Sequence, residues 1–106
     1  MRPVDLRSIV AALPASGLAS LARQMLAALD DADAPLRETL AAYLELSGAT
    51  NAVCARLAIH RNTLGYRIQR IEGLLGMDLR DGRTRATLLL ALDLLDGDRR
   101  HAPAAG

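Results

Sequence analysis

Apolar residues recur at helical spacing along this chain, and two such stripes lie before residue 34. The first stripe is Leu6, Ile9, Val10 and Leu13, and it is ended by Pro14 and Gly17. The second stripe is Leu18, Leu21, Met25, Leu26 and Leu29, with Ser16 as the expected N-cap. An acidic run at Asp30, Asp31 and Asp33 follows it. The pattern predicts two amphipathic helices in the first third of the chain.

Two further stripes predict a third helix and a final one. Pro35 is expected as the first residue of the third helix, where its missing N–H costs nothing, and Gly48 is expected to end it. The apolar side of this helix is Leu36, Leu40, Tyr43, Leu44 and Ser47. A connector at residues 77–82 precedes the final stripe, which contains Leu88, Leu89, Leu90, Leu92, Leu94 and Leu95. Such an apolar helix needs cover on more than one side.

Between these stripes, residues 51–75 have the proportions of a helix-turn-helix. A brief fourth helix, capped by Thr50 or Asn51, is predicted to about residue 58, followed by a turn at 59–60 and a fifth helix at 61–75. Gly76 is the expected residue just beyond the fifth helix. The space between the two helices is expected to be filled by Val53, Cys54, Leu57 and Ile59. The expected buried stripe of the fifth helix is Leu64, Ile68, Ile71 and Leu75.

The opposite face of the fifth helix is rich in hydrogen-bond donors and free of acids. Asn62, Tyr66 and Gln69 lie at its centre, Thr63, Gly65 and Arg70 flank it, and Arg61 lies in the first turn. The first turn is the end that a recognition helix points at base edges. The residues of this segment predicted to contact DNA are Asn51, Arg61, Asn62, Thr63, Tyr66, Gln69 and Arg70.

Composition and length agree with these elements. The 106 residues are 51% hydrophobic and contain neither Phe nor Trp, which favours helices and one modest core. We predict an all-α fold with a helix-turn-helix core of three to four helices, additional N-terminal helices and a C-terminal apolar helix. The expected organisation is N-terminal helices at 1–34, for dimerisation or as the remnant of a preceding sensory domain, a DNA-binding domain at 35–96 and a disordered tail at 97–106.

The formal net charge of +1 hides an uneven distribution. Residues 1–50 carry four Arg against six acids, a net charge of −2. Residues 51–85 carry seven Arg against three acids, a net charge of +4, and residues 86–106 carry two Arg against three acids, a net charge of −1. The middle of the chain is therefore a basic island, as a DNA-binding segment requires.

Several classes of protein are not expected. A single cysteine, Cys54, permits no internal disulfide, and the chain has no Cys/His cluster for zinc, so we expect no metal and no cofactor. No stretch approaches the roughly 20 apolar residues of a membrane span, and we expect a cytoplasmic protein without a membrane partner. His60 and His101 have no framing carboxylate pair or phosphate loop, so we expect no enzyme activity.

A longer run of sequence carries a resemblance. The segment IHRNTLGYRIQRIEGLLGMDLRD, preceded by LRETLAAYLE and followed by RATLLLALDLL, resembles the C-terminal helix-turn-helix of PucR/CdaR-type bacterial transcription regulators over roughly residues 36–95. Its R-N-T-L core resembles the DNA-reading helix of the Fis and NtrC class. The resemblance implies a transcription regulator that binds double-stranded DNA as a homodimer. Two positions depart from the pattern: Ala58 stands where many such motifs have Gly, and Gly65 stands where the family often has a longer side chain.

Some residues have two interpretations at this point. His60 is either a weak cap of the fifth helix or, by resemblance to the Fis class, a DNA contact, and Asn62 and Thr63 could serve as helix-capping residues. Arg67 lies beside the buried stripe, where an ion pair with an acid elsewhere is expected. For the whole chain, the alternative to DNA binding is a helical dimerisation or protein-interaction module.

Overall fold

The predicted all-α fold is confirmed. The structure, a computed structural model, describes residues 5–12, 17–30 and 34–101. These residues form six helices and no strand: α1 (Leu6–Ala12), α2 (Leu18–Ala27), α3 (Leu36–Glu45), α4 (Thr50–Leu57), α5 (Arg61–Leu75) and α6 (Gly82–His101). Within the same residues, no helix is both long and apolar enough to cross a membrane.

A large hydrophobic cluster joins α2, α3 and α6. Its buried members are Ala22, Leu26, Leu29, Leu36, Leu40, Leu44, Ile71, Leu79, Leu88 and Ala91. The apolar α6 is contacted by α1, α2 and α3, which confirms that it needs cover on more than one side. Because α2 shares this core with α3 and α6, the residues on either side of position 34 pack as one body.

A smaller cluster holds the helix-turn-helix together. Ala42 of α3, Val53 of α4 and Leu64 of α5 are buried against one another. The residues packed around them are Leu46, Cys54, Leu57, Ile59 and Ile68. The predicted filling by Val53, Cys54, Leu57 and Ile59 is therefore confirmed. Ile68 also packs against the large cluster, so it connects the two.

Several helix ends differ from the prediction by one or two residues. Gly17, rather than Ser16, occupies the N-cap of α2, and Ala49, rather than Thr50 or Asn51, occupies that of α4. Pro35 is the N-cap of α3 and not its first residue. Ser47 is not part of α3, because its positive φ of 54° places it in the turn after the helix. Ala49 has no side chain that could cap, so its residue type carries no signal, and beside Gly17 the hydroxyl of Ser16 is the stronger sequence signal.

Two other differences concern which residues are covered. Leu21 was predicted in the α2 stripe but is 57% exposed, and Ala22 is buried in its place. The helix α6 starts at Gly82 and runs to His101, so residues 97–101 are helical where a disordered tail was predicted. Residues 102–106 lie outside the described residues, as do Leu13, Pro14, Ser16, Asp31 and Asp33.

Candidate nucleic-acid interface

A sharp turn sets the angle between α4 and α5. Ala58 takes the left-handed conformation, with φ 55° and ψ 47°, and its N–H bonds back to Ala55. Ile59 follows, and its backbone N–H donates to the carbonyl of Cys54 at 3.1 Å while its side chain packs into the small cluster. A left-handed residue at this point explains the Gly of related motifs, since Gly adopts that conformation without a steric penalty. Here an alanine occupies the position, and its left-handed backbone is strained.

The ends of α5 agree with the prediction. His60 is its N-cap, and the imidazole Nδ1 accepts a hydrogen bond from the backbone N–H of Asn62 at 3.1 Å. The capping interpretation of His60 is therefore confirmed. An accepting Nδ1 leaves the imidazole proton on Nε2, so the exposed side of the ring presents a donor. Gly76 ends the helix with φ 66°, as predicted.

The predicted buried and outer faces of α5 are also found. Leu64 and Ile71 are buried, and Ile68 and Leu75 are half-buried. On the outer side, Tyr66 is 62% exposed. The other predicted DNA contacts on α5 that are exposed are Arg61, Asn62, Gln69 and Arg70, whereas Thr63 is half-buried. Asn51 is exposed in the first turn of α4.

A groove brings the start of α4 next to this outer face. It has a volume of about 740 Å³, and Thr50 lies on its α4 side. On the α5 side it is lined by His60, Arg61, Asn62, Gly65 and Gln69. Four of the eight predicted contacts therefore line one groove, while Tyr66 and Arg70 line a separate, smaller pocket.

Two arginines of this surface, Arg61 and Arg70, differ from three arginines elsewhere that pair with acids. Arg37 pairs with Asp30 at 2.7 Å, Arg56 with Glu45 at 2.6 Å, and Arg80 with Asp78 at 3.3 Å. Among the residues that the structure describes, Arg61 and Arg70 have no acidic partner within ion-pair distance. The positive charge of α5 is therefore available to a ligand.

The comparisons with known proteins decide the family. The model of the PucR C-terminal helix-turn-helix domain matches residues 36–94. The chain belongs to this family. It is 42% identical over 69 residues to the purine catabolism regulatory protein of Bacillus subtilis, an overlap of 65% of this chain and 13% of that protein. It is 46% identical over 59 residues to the carbohydrate diacid regulator of Escherichia coli, covering 56% of this chain and 15% of that protein.

A third relative of this PucR-type domain is the proline-responsive transcriptional activator PutR of Bacillus subtilis, 39% identical over 66 residues, covering 62% of this chain and 16% of that protein. The chain spans only a small part of such regulators, 13% of the first relative named and 15–16% of the others. No solved structure matches. The first two relatives are named as regulators and PutR as a transcriptional activator, and the segment matched by the family model runs from α3 through most of α6.

The connector after α5 of the PucR-type domain is fixed by carboxylates. Glu72 Oε2 accepts the backbone N–H of Leu79 at 2.9 Å, and Asp78 Oδ1 accepts the backbone N–H of Arg80 at 2.9 Å. That backbone bond, helped by the Arg80 guanidinium, lowers the pKa of Asp78, and Asp78 in turn raises the pKa of Arg80. In the described part of the chain, no group of three or more His, Cys, Asp or Glu residues could hold a metal ion.

Sequence reasoning missed the partner of Arg67. The predicted ion pair between Arg67 and an acid is wrong. Arg67 Nη1 instead donates a hydrogen bond to the hydroxyl of Thr39 at 3.3 Å. Thr39 is fully buried on α3, and its hydroxyl donates to the carbonyl of Pro35 at 2.9 Å. Thr39 and Arg67 are 28 residues apart, so only the tertiary packing of α3 on α5 brings them together.

Proposed function

We propose that this PucR-type domain regulates transcription by binding double-stranded DNA with α5 in the major groove. The observation that carries the proposal is the outer face of α5, which is exposed, acid-free and equipped with arginines that have no acidic partner in the described chain. A helix-turn-helix places its second helix in the major groove. Basic groups concentrated beside that helix favour DNA binding over a protein-interaction module.

The residues of this face divide into two roles. Arg61 and Asn62, in the first turn of α5, are proposed to read base edges, since Arg pairs bidentately with guanine and Asn with adenine. Gln69, about two turns further along the same face of α5, can read adenine in the same way. His60, which caps the helix through Nδ1, offers its Nε2 donor to the DNA.

A second set of residues is proposed to hold the DNA backbone. Thr63, Tyr66 and Arg70 lie toward one edge of the α5 face, and Asn51 lies in the first turn of α4. Contacts to phosphate position a recognition helix without reading sequence. The two edges would therefore hold the helix in register while its first turn reads the bases.

We further propose that the domain acts as a homodimer in the bacterial cytoplasm. A single helix of 15 residues contacts few base pairs, and dimeric helix-turn-helix proteins read two half-sites about one helical turn apart. α1, α2 and α6 are the candidate dimer surfaces. Residues 1–34 are proposed to serve dimerisation or to represent the end of a preceding sensory domain.

The test is a selection from random-sequence duplexes, followed by gel shifts at low and moderate salt. We expect an enriched sequence that competes effectively against random DNA, with affinity that falls steeply as salt rises. Sedimentation of the selected complex should show two copies per duplex. If no duplex is retained even at about 50 mM salt, where phosphate contacts are strongest, the interaction-module alternative replaces the proposal.

A further inference from the structure

A second, smaller pocket lies on the edge of α5 that faces away from α4. It has a volume of about 280 Å³ and is lined by Ala34, Pro35, Tyr66, Arg67 and Arg70. Two guanidinium groups and one phenol thus share a small space, and none of the lining residues is acidic. The wall opposite them is formed by Ala34 and Pro35, immediately before α3.

Arg67 is unusual in this pocket because it is half-buried without a counter-ion. In the described chain its hydrogen bond goes to the neutral hydroxyl of Thr39, and no carboxylate lies within ion-pair distance. A partly desolvated charge is unfavourable unless it is paired. Arg70 adds a second positive charge to the same pocket. An anion bound here would relieve both effects.

The geometry of the donors specifies the anion. Guanidinium groups present planar pairs of N–H donors that match the oxygens of a phosphate. Thr39 accepts one N–H of Arg67, so the other donors of that guanidinium remain available. Tyr66 also lines the pocket and is itself part of the exposed outer face of α5.

We propose that this pocket binds one phosphodiester group of the DNA strand that runs beside α5, with Arg67 and Arg70 as its charged ligands. This inference rests on the proposed function, because it takes the phosphate from a duplex whose major groove holds α5. Arg67, anchored by Thr39, would then fix the position of α5 along the groove. The bond to Thr39 holds the guanidinium in place before DNA arrives.

The experiment combines a protein variant with a chemically altered duplex. Single uncharged methylphosphonates are placed in turn along each strand of the duplex selected by the wild-type domain, and affinities are measured for wild type and Arg67→Gln. We expect wild type to lose about tenfold or more at the phosphate bound in the pocket. Arg67→Gln should lose affinity for the native duplex and show a smaller loss than wild type at that one position, where Arg70 alone still contacts the phosphate.

Two controls separate a phosphate contact from a structural role. Arg80→Gln removes an equal charge from an exposed arginine that already pairs with Asp78, and it should keep the full methylphosphonate profile. Arg67→Lys keeps the charge but not the planar donors, and its loss at the pocket phosphate should lie between those of wild type and Arg67→Gln. Thermal unfolding of each variant verifies that it is folded.

The outcomes are distinguishable. If wild type binds no duplex, the proposed function fails. If wild type binds DNA but each methylphosphonate lowers the affinity of wild type and of Arg67→Gln by the same factor at every position, the domain binds DNA but the pocket proposal is wrong. A separate titration with inorganic phosphate tests for a free anion. If phosphate binds at a saturable site that is lost in Arg67→Gln, and no methylphosphonate position depends on Arg67, the pocket binds a free anion and the DNA assignment is wrong.

Discussion

Two surfaces on opposite sides of α3 differ in charge, so that the domain has one basic side and one acidic side. Toward α5, Thr39 meets Arg67, and the pocket beside them has only cationic and neutral lining. The other side of α3 faces a second groove, which has a volume of about 830 Å³ and lies between α3, α6 and the C-terminal end of α2. We call it the acidic groove. Its charged lining residues are Asp30, Arg37, Glu38, Glu45, Asp93 and Asp96. Five acids and one arginine therefore face away from α5.

The contrast follows from helical geometry. At about 100° per residue, Ala41, which lines the acidic groove, lies on the opposite side of α3 from Thr39. A near-neutral chain can thus present one basic and one acidic surface. DNA would be attracted to the basic surface and repelled from the acidic one, which orients the domain during encounter. The net charge of +1 alone gives no hint of this polarity.

The largest expected effect concerns what holds the basic surface in place. Leu64 is 3% exposed in the small cluster, and Leu64→Ala should lower the free energy of unfolding by about 2–5 kcal/mol, as buried leucine truncations do. Chemical denaturation measures this. Leu74→Ala on the same helix is the matched control, because Leu74 is 38% exposed and its truncation should cost far less. Equal losses for the two variants would show that the buried face of α5 is misassigned.

The next prediction compares the two charged surfaces directly. Arg61→Ala and Asn62→Ala should each reduce discrimination between specific and random duplexes by about 1–3 kcal/mol, because each removes one base contact. Arg70→Ala should instead weaken binding to all sequences and flatten the salt dependence, since it removes a phosphate contact. Affinities for both duplexes across a salt series measure these changes.

The acidic groove supplies the control for that series. Asp93→Asn removes a charge from the groove lining, on the other side of α3 from Arg67, and it should leave sequence discrimination unchanged. If Arg61→Ala and Asn62→Ala lower affinity for specific and random duplexes equally, those two residues only position the helix. Sequence would then be read elsewhere, through DNA shape.

A smaller effect is expected at the turn that sets the angle of α5. Ala58 has a left-handed backbone conformation, which costs a non-glycine residue about 1–2 kcal/mol. Glycine avoids this cost, but it lowers the stability by about 0.4–1 kcal/mol because it makes the unfolded chain more flexible. Ala58→Gly should therefore stabilise the domain by about 0.5–1 kcal/mol. Ala55→Gly, three residues earlier within α4, should destabilise it by a similar amount. Thermal melts that shift in the same direction for both would refute the strain at Ala58.

The sequence predicted those features that depend on neighbouring residues. The bounds of α5 follow from His60 before it and Gly76 after it, and the small cluster follows from the spacing of Val53, Leu57 and Leu64. Such signals lie within a few residues of the element they define. The predicted roles of the DNA contacts remain proposals, but those on α5 are exposed except for the half-buried Thr63, in agreement with the helical spacing from which they were derived.

The features that sequence could not predict depend on distant partners. Ala22 is buried instead of Leu21 because α6 packs on that side of α2, and no pattern within α2 specifies the direction of its partner. The bond between Arg67 and Thr39 requires α3 to cross α5 at one register. The acidic groove likewise appears only when α2, α3 and α6 are assembled, since its acids are scattered from residue 30 to residue 96.

The smallest prediction separates stability from DNA binding within α5. A Cβ added at Gly65 or at Gly73 would meet nothing within 4 Å, so internal packing requires neither glycine. Each change to alanine should therefore stabilise the helix by about 0.5–1 kcal/mol. Gly65 lines the groove shared with Arg61 and Gln69, where DNA would approach the backbone closely, so Gly65→Ala should weaken binding to the selected duplex although it raises stability. Gly73→Ala, two turns further along α5, should raise stability with little change in affinity. Denaturation curves and gel shifts on both variants test this, and a Gly65→Ala domain that binds as tightly as wild type would show that the glycine serves neither packing nor DNA approach.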